Sequence, residues 1–350
     1  MGTVRSWFAR VALSVAVLLP VTVALAPGAH ASTTAYTKLH LLNGWKQSIF
    51  TTRKTQVILK KGIVVFRGAM QTSGSNPIAF VLPASFRPPT DVYVPVDLCG
   101  AHNGRLHIQP NGTTDVEAAD FSQAQCFTSL EGASFAKTAS GYTLLALQNG
   151  WTNSPFSTRP AAAKVISGVV HLQGAIANGT STLASTLPAA FRPSATVFVP
   201  VDLCGATNGR LIIDASGNVT VQAEGSFSDA QCFTSLEGVQ YAKATTGYTP
   251  LALQNGWTNA PFGTRNAAVR VVAGVVHFEG AVANGTTSVL FSLPAAAIPS
   301  SDVFVKVDLC NAHNGRLIID SAGTVSVQAE GDFSDAQCFT SLDGATFATG

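Results

Sequence analysis

Apolar residues recur at every second position along most of the chain, the period of a half-buried strand. The stretch "TVFVPVDL" at residues 196–203 alternates apolar side chains with small or polar ones. "RLIIDASGNVTVQAEG", residues 210–225, reads as two strands joined at Ser216-Gly217-Asn218, and "VVHLQGAI" and "FTSLEGVQYA" carry the same alternation. Asn-Gly occurs nine times, and the pairs are assigned to turns because both residues accept positive φ. No i, i+3, i+4 pattern is sustained beyond the N-terminal segment. Seven or eight short strands in ~100 residues, separated by turns, predict an all-β fold of the sandwich or jelly-roll type.

The pattern repeats. Trp45, Trp151 and Trp257 are spaced by 106 residues, as are Cys126, Cys232 and Cys338; Cys99, Cys204 and Cys310 are spaced by 105 and 106. A unit of this length is an independent domain rather than a solenoid repeat. The expected organisation is a signal peptide at residues 1–31 and three tandem β-sandwich repeats at 32–138, 142–244 and 248–350. Short polar linkers, "KTASGYT" and "KATTGYT", separate the repeats. All three copies keep Asn-Gly-Trp, then Phe50/Phe156/Phe262, then Thr-Arg at Arg53/Arg159/Arg265. Val-Asp-Leu-Cys, Asn-Gly-Arg-Leu and Ala-Gln-Cys-Phe-Thr-Ser-Leu follow in each.

The first residues change the picture of where the chain works. Arg5 and Arg10 precede an apolar run over residues 11–26 that Pro20 interrupts, and Ala29-His30-Ala31 supplies small residues at a cleavage site. This is the pattern of a secretory signal, and the run is too short for a span, so a secreted, extracellular protein without a membrane span is expected. Of 21 basic and 19 acidic residues, the first 31 hold two arginines and no acid, which leaves 19 of each. A balanced charge argues against nucleic-acid binding. Each unit carries two cysteines, and the even count in a secreted chain predicts one disulfide per unit: Cys99 with Cys126, Cys204 with Cys232, Cys310 with Cys338. Each closes a loop of 28 or 29 residues. No unit offers the four ligands a zinc site at the cysteines needs, and neither metal nor cofactor is expected.

Catalysis is not expected. His171 and His277 correspond, but the first copy has Val65 there; His102 and His313 correspond, but the second has Thr207. No histidine is common to the three units, so no repeated triad is supported. The strand histidines are read as half-buried or exposed. Asp97/Asp202/Asp308 and Arg105/Arg210/Arg316 are common to all copies and read as an ion pair or turn-capping bond beside the disulfide, with a ligand-binding pair as the alternative. Glu131/Glu237/Asp343 fit a turn at a strand end. Asn111, Asn178, Asn218 and Asn284 open Asn-x-Thr triplets, which matter only in a eukaryotic host.

At "NGWTNSPFSTR", "GVVHLQGAIANGT" and "TLPAAFRPSATVFVPV" the chain resembles the β-sandwich modules at the C-terminal ends of phage tail-fibre and baseplate receptor-binding proteins. The resemblance covers about two-thirds of each unit. It implies non-catalytic carbohydrate recognition, and display as homotrimers. The signal peptide, the cysteine pair and Ala297-Ile298-Pro299 in place of Phe-Arg-Pro depart from the family pattern. A secreted bacterial protein carrying three fused modules could pack them about a pseudo-threefold axis as a monomer. The functional expectation is multivalent binding of cell-envelope glycans, through Trp45, Trp151, Trp257, Asn153, Asn259, Arg53, Arg159 and Arg265. A structural or adhesive extracellular role without a small ligand is the alternative. The tryptophans have two readings, a domain-start core anchor and a sugar-stacking platform, of which the anchor fits the changed neighbours Lys46 and Gln47 better.

Overall fold

The computed structural model describes residues 1–3, 35–48 and 50–350. From residue 4 onward the segment read as a signal peptide lies outside the described residues. Among those described, strands dominate, every pairing between named strands is antiparallel, and no helix is long and apolar enough to cross a membrane.

The same elements recur in each copy. In the first, a four-stranded sheet runs Thr37–Lys38, Gln56–Lys60, Ile63–Arg67 and Ser134–Ala136. A second sheet runs Ile78–Val81, Thr113–Glu117, Asn103–Ile108 and Val92–Asp97, and a three-stranded sheet joins Lys46–Gln47, Ala69–Gln71 and Thr128–Ser129. These sheets share one apolar core, which includes Leu39, Trp45, Phe66, Phe80, Val94, Leu106 and Phe135. The second and third copies build equivalent cores around Trp151 and Trp257.

One helical turn and a half, Phe121–Cys126, interrupts the all-strand expectation in the first copy, with Phe227–Cys232 and Phe333–Cys338 as its counterparts. Asp120 and Ser226 cap the first two by accepting the backbone N–H of Ser122 and Ser228. Six residues are too few to show a period of 3.6, so the alternation of the chain does not reveal them. The helix ends on the second cysteine of its copy, and the bonds Cys99–Cys126, Cys204–Cys232 and Cys310–Cys338 form. Five of the nine Asn-Gly pairs also differ from expectation: Asn178-Gly179 and Asn284-Gly285 lie outside turns, with only the asparagine at positive φ. Asn103-Gly104, Asn208-Gly209 and Asn314-Gly315 open strands rather than turns.

The strands Val92–Asp97, Val197–Asp202 and Val303–Asp308 lie against one another and join the copies. Their period of two explains why. Val92, Val94 and Val96 point into the core of their own copy. Tyr93, Pro95 and Asp97 point the other way, into the seam, as do Phe198, Pro200 and Asp202, and Phe304, Lys306 and Asp308. The second face read as small or polar thus packs against a neighbouring copy, fully buried in the second copy and partly buried at Tyr93, Pro95 and Phe304.

The arginine–aspartate hydrogen bonds across the seams run in one cyclic sense. Arg105 Nη1 donates to Asp202 Oδ2 at 3.0 Å, Arg210 Nη1 to Asp308 Oδ2 at 3.0 Å, and Arg316 Nη1 to Asp97 Oδ2 at 3.2 Å. Each of these arginines also reaches the carbonyl of the next residue, Leu203, Leu309 or Leu98. The Asp–Arg pair expected within a copy is therefore made between copies. Ser129, Ser235 and Ser341 bridge the same three seams in the opposite sense, donating to the carbonyls of Phe304, Tyr93 and Phe198 at 2.6 Å. First joins second, second joins third, and third returns to first.

Candidate functional site

The tryptophans are core residues. Asn149 and Gly150 both adopt positive φ and turn the chain, and Trp151 N–H returns to the carbonyl of Gln148 at 3.0 Å. The ring then enters the core. Trp45, Trp151 and Trp257 are 4–5% exposed, and each indole N–H donates to a backbone carbonyl, of Asn76, Ser181 or Thr287, at 2.8–2.9 Å. A phenylalanine of the short helix meets each indole edge-on, with centroids 6.2 Å apart. Of the two readings of the tryptophans, burial supports the core anchor, and at 4–5% exposure no indole face is open to a sugar ring.

The arginines and asparagines once read as ligand-binding also have internal partners. Arg53 pairs with Glu131 at 3.0 Å and Arg159 with Glu237 at 2.6 Å, while their Nη2 groups donate to Ala348 and Ala136 of the preceding copy. Arg265 reaches Ala242 in the same way. Its copy has Asp343 where the others have glutamate; Asp343, a methylene shorter, accepts only the N–H of Gly280, and Glu279 moves in to pair with Arg265 at 2.6 Å. These acids sit at the expected turns but are buried. Burial pushes the Glu131 carboxyl above its ordinary range and Asp343 up to about 7, against the pull of the arginines. Asn153 and Asn259 are exposed, yet their Oδ1 atoms accept the N–H of Ala161 and Ala267 at 2.7–2.8 Å and so close the loop between.

That loop carries the surface feature the sequence reading used only as a landmark. Phe50, Phe156 and Phe262 are 45%, 58% and 65% exposed. Phe156 and Phe262 have φ of 51° and 55°, a conformation that costs a bulky residue on the order of 1 kcal/mol or more. Each phenylalanine stands edge-on to an aromatic of its own copy, Phe127, Phe233 or Phe339, at 5.4–5.6 Å. Across the seam the next ring belongs to the neighbouring copy: Phe304, Tyr93 or Phe198, at 4.8–5.0 Å. The seam arginine closes the group, with Arg105 4.8 Å above Tyr93, Arg210 4.9 Å above Phe198 and Arg316 5.0 Å above Phe304. Beside the first disulfide cysteine, Tyr93, Arg105, Phe156 and Phe233 line a cleft of about 160 Å³; Phe50, Phe127, Phe304 and Arg316 line one of about 40 Å³.

The chemistry these clefts offer is aromatic faces and ring edges. Arg105 uses its donors on Glu117, Asp202 and Leu203, and Arg210 and Arg316 use theirs on Gln222 and Gln328 and on the next copy's aspartate and leucine. Such a surface offers apolar and aromatic contact, with every nitrogen of these arginines already donating to a protein oxygen rather than free for an anion. Comparison with protein-family models, with curated proteins and with solved structures found no match to this chain.

Proposed function

We propose that the chain is a secreted, non-catalytic, multivalent binding protein that holds carbohydrate rings of a cell envelope at the three aromatic–arginine groups on the seams between its copies. In this reading the chain is a signal peptide followed by three β-sandwich domains, a monomer that fuses what the phage tail modules it resembles achieve as homotrimers. The observation that carries it is the set of exposed phenylalanines, two of them held at positive φ, each edge-on to an aromatic and near a seam arginine on a disulfide-braced frame. Exposed aromatics on rigid loops are binding chemistry, since an unliganded surface gains nothing from strain spent on them. The disulfides suit an oxidising compartment.

A second reading, a structural or adhesive protein without a small ligand, draws support from the full engagement of the seam arginines. Glycan arrays and isolated cell-wall fractions separate the two. The wild-type chain is expected to bind, with each Phe→Ser substitution at Phe50, Phe156 or Phe262 lowering apparent affinity about tenfold, and the triple variant losing at least ~100-fold through lost avidity. Melting temperature should hold, because the replaced rings are exposed. Binding that survives in the folded triple variant overturns the cleft assignment; a wild type that binds nothing leaves the structural role.

A further inference from the structure

The first copy carries a cluster that the other two lack. On the seam-side face of its four-stranded sheet, His107 pairs in register with Asp115, and Arg105 with Glu117. Because side chains alternate, His107, Asp115 and Glu117 stand on one face. Among the described residues they are the group of histidine and carboxylate ligands whose donor atoms all lie within 4.8 Å of one another. His107 Nδ1 is 3.4 Å from Glu117 Oε1 and 3.8 Å from Asp115 Oδ2. Ligands at about 2.1 Å from a tetrahedral ion are separated by about 3.4 Å, so these atoms already stand at the spacing of one coordination shell. The side chains are 17–34% exposed, which leaves an approach from solvent.

The surroundings are those that fix metal ligands. A histidine bound through one nitrogen offers its other N–H to a carboxylate, and His107 Nε2, otherwise buried and without a hydrogen-bond partner, faces Asp91 Oδ1 at 3.5 Å. Arg105 holds the far oxygen of Glu117, Oε2, at 2.6 and 2.8 Å and leaves Oε1 to the cluster. Tyr93 stacks on the imidazole, with centroids 4.4 Å apart and planes 2° from parallel. The equivalent positions in the other copies are Ile212, Thr220 and Gln222, and Ile318, Ser326 and Gln328. They keep the strands and the register without a histidine or carboxylate.

We propose that His107 Nδ1, Asp115 and Glu117 form a binding site for one divalent transition-metal ion of the zinc class, with water completing its coordination. The site adjoins the Tyr93–Arg105 cleft and is independent of whether that cleft binds carbohydrate.

The test is titration of the tag-free, chelator-treated full chain with Zn²⁺ by calorimetry, and with Co²⁺ by visible absorption. One equivalent per chain is expected, not three. His107→Ile and Asp115→Thr, which install residues the other copies already carry, should keep the fold and weaken binding well beyond tenfold; Asp91→Asn should weaken it about tenfold. The double variant His102→Ala/His313→Ala, at histidines elsewhere on the surface, should bind as wild type does. Absence of saturable Zn²⁺ and Co²⁺ binding, or binding that survives His107→Ile, overturns the site and leaves an ion-pair network between a protonated His107 and its carboxylates.

Discussion

Gly179 and Gly285 show how single residues set the position of the tryptophans. A Cβ at Gly179 would lie 2.0 Å from Trp151 Cε2, and one at Gly285 1.9 Å from Trp257 Cε2. The indole therefore packs flat on bare backbone, which gives the glycine of the Asn-Gly-Thr at residues 178–180 and 284–286 a packing role. Neither glycine has positive φ, so an alanine is opposed by volume alone. Gly179→Ala is expected to destabilise the chain by about 3 kcal/mol, at the upper end for overpacking, because both the ring and the backbone beneath it are fixed. Denaturant titration measures the loss. In the first copy the corresponding Gly74 has no such contact with Trp45, and Gly74→Ala should cost much less.

At the scale of elements, the strand Val92–Asp97 and its two counterparts serve two cores at once, and the arginine–aspartate pairs are the polar locks between them. Asp97, Asp202 and Asp308 are at most 1% exposed, and burial pushes each carboxyl up to about 7 although an arginine of the neighbouring copy pulls it down. Arg316→Met removes the partner that closes third copy onto first and strands Asp97 in the seam. The expected cost is about 3–5 kcal/mol near pH 8, where the carboxyl would be charged. A folded-state pKa above the ordinary carboxylate value means the native state binds the extra proton, so stability falls as pH rises through that window. The variant's deficit should accordingly shrink at pH 5, and adding Asp97→Asn should recover part of it at pH 8. Melting curves of the two variants at both pH values give the answer.

For the whole molecule, the cyclic seams put equivalent residues of the three copies close together. His171 and His277, 8% and 9% exposed, share a pocket with Val65, Ser134, Gln240 and Thr346. They are more buried than the half-buried or exposed strand histidines the alternation suggests, because the face they occupy meets the other copies. Burial holds His171 at about 3, helped by the charges of His277 and Lys164, and His277 at about 4, helped by Arg270. Both are neutral in the native state and take up protons more readily when unfolded, with a reference value near 6.5. The stability they contribute is full above about pH 6.5 and is lost as the pH falls toward 4. Replacing both with valine, the first copy's residue, should flatten that decline. The gain expected at pH 4.5 is on the order of 2 kcal/mol per site, read as a higher melting temperature than wild type, with little change at pH 7.5.

The sequence by itself determined the period of the strands, the threefold recurrence of the unit and the pairing of its cysteines. These follow from local alternation and from spacing, which the chain carries without reference to its partners. It also marked the Asn-Gly-Trp start of each core, since a turn with two positive φ angles is written in its residues. Only the tertiary structure decided what the second face of each strand meets. "VYVPVD" reads the same whether its alternate side chains face water or another copy, so the seam, the intercopy arginine locks and the burial of His171 were hidden. The exposed phenylalanines were visible as conserved letters, but their exposure depends on a loop held by Asn153, Asn259 and the neighbouring copy. The His107 cluster was hidden for a different reason. Its residues occur in one copy only, and His107, Asp115 and Glu117, eight and ten residues apart along the chain, are joined only by the register of two paired strands.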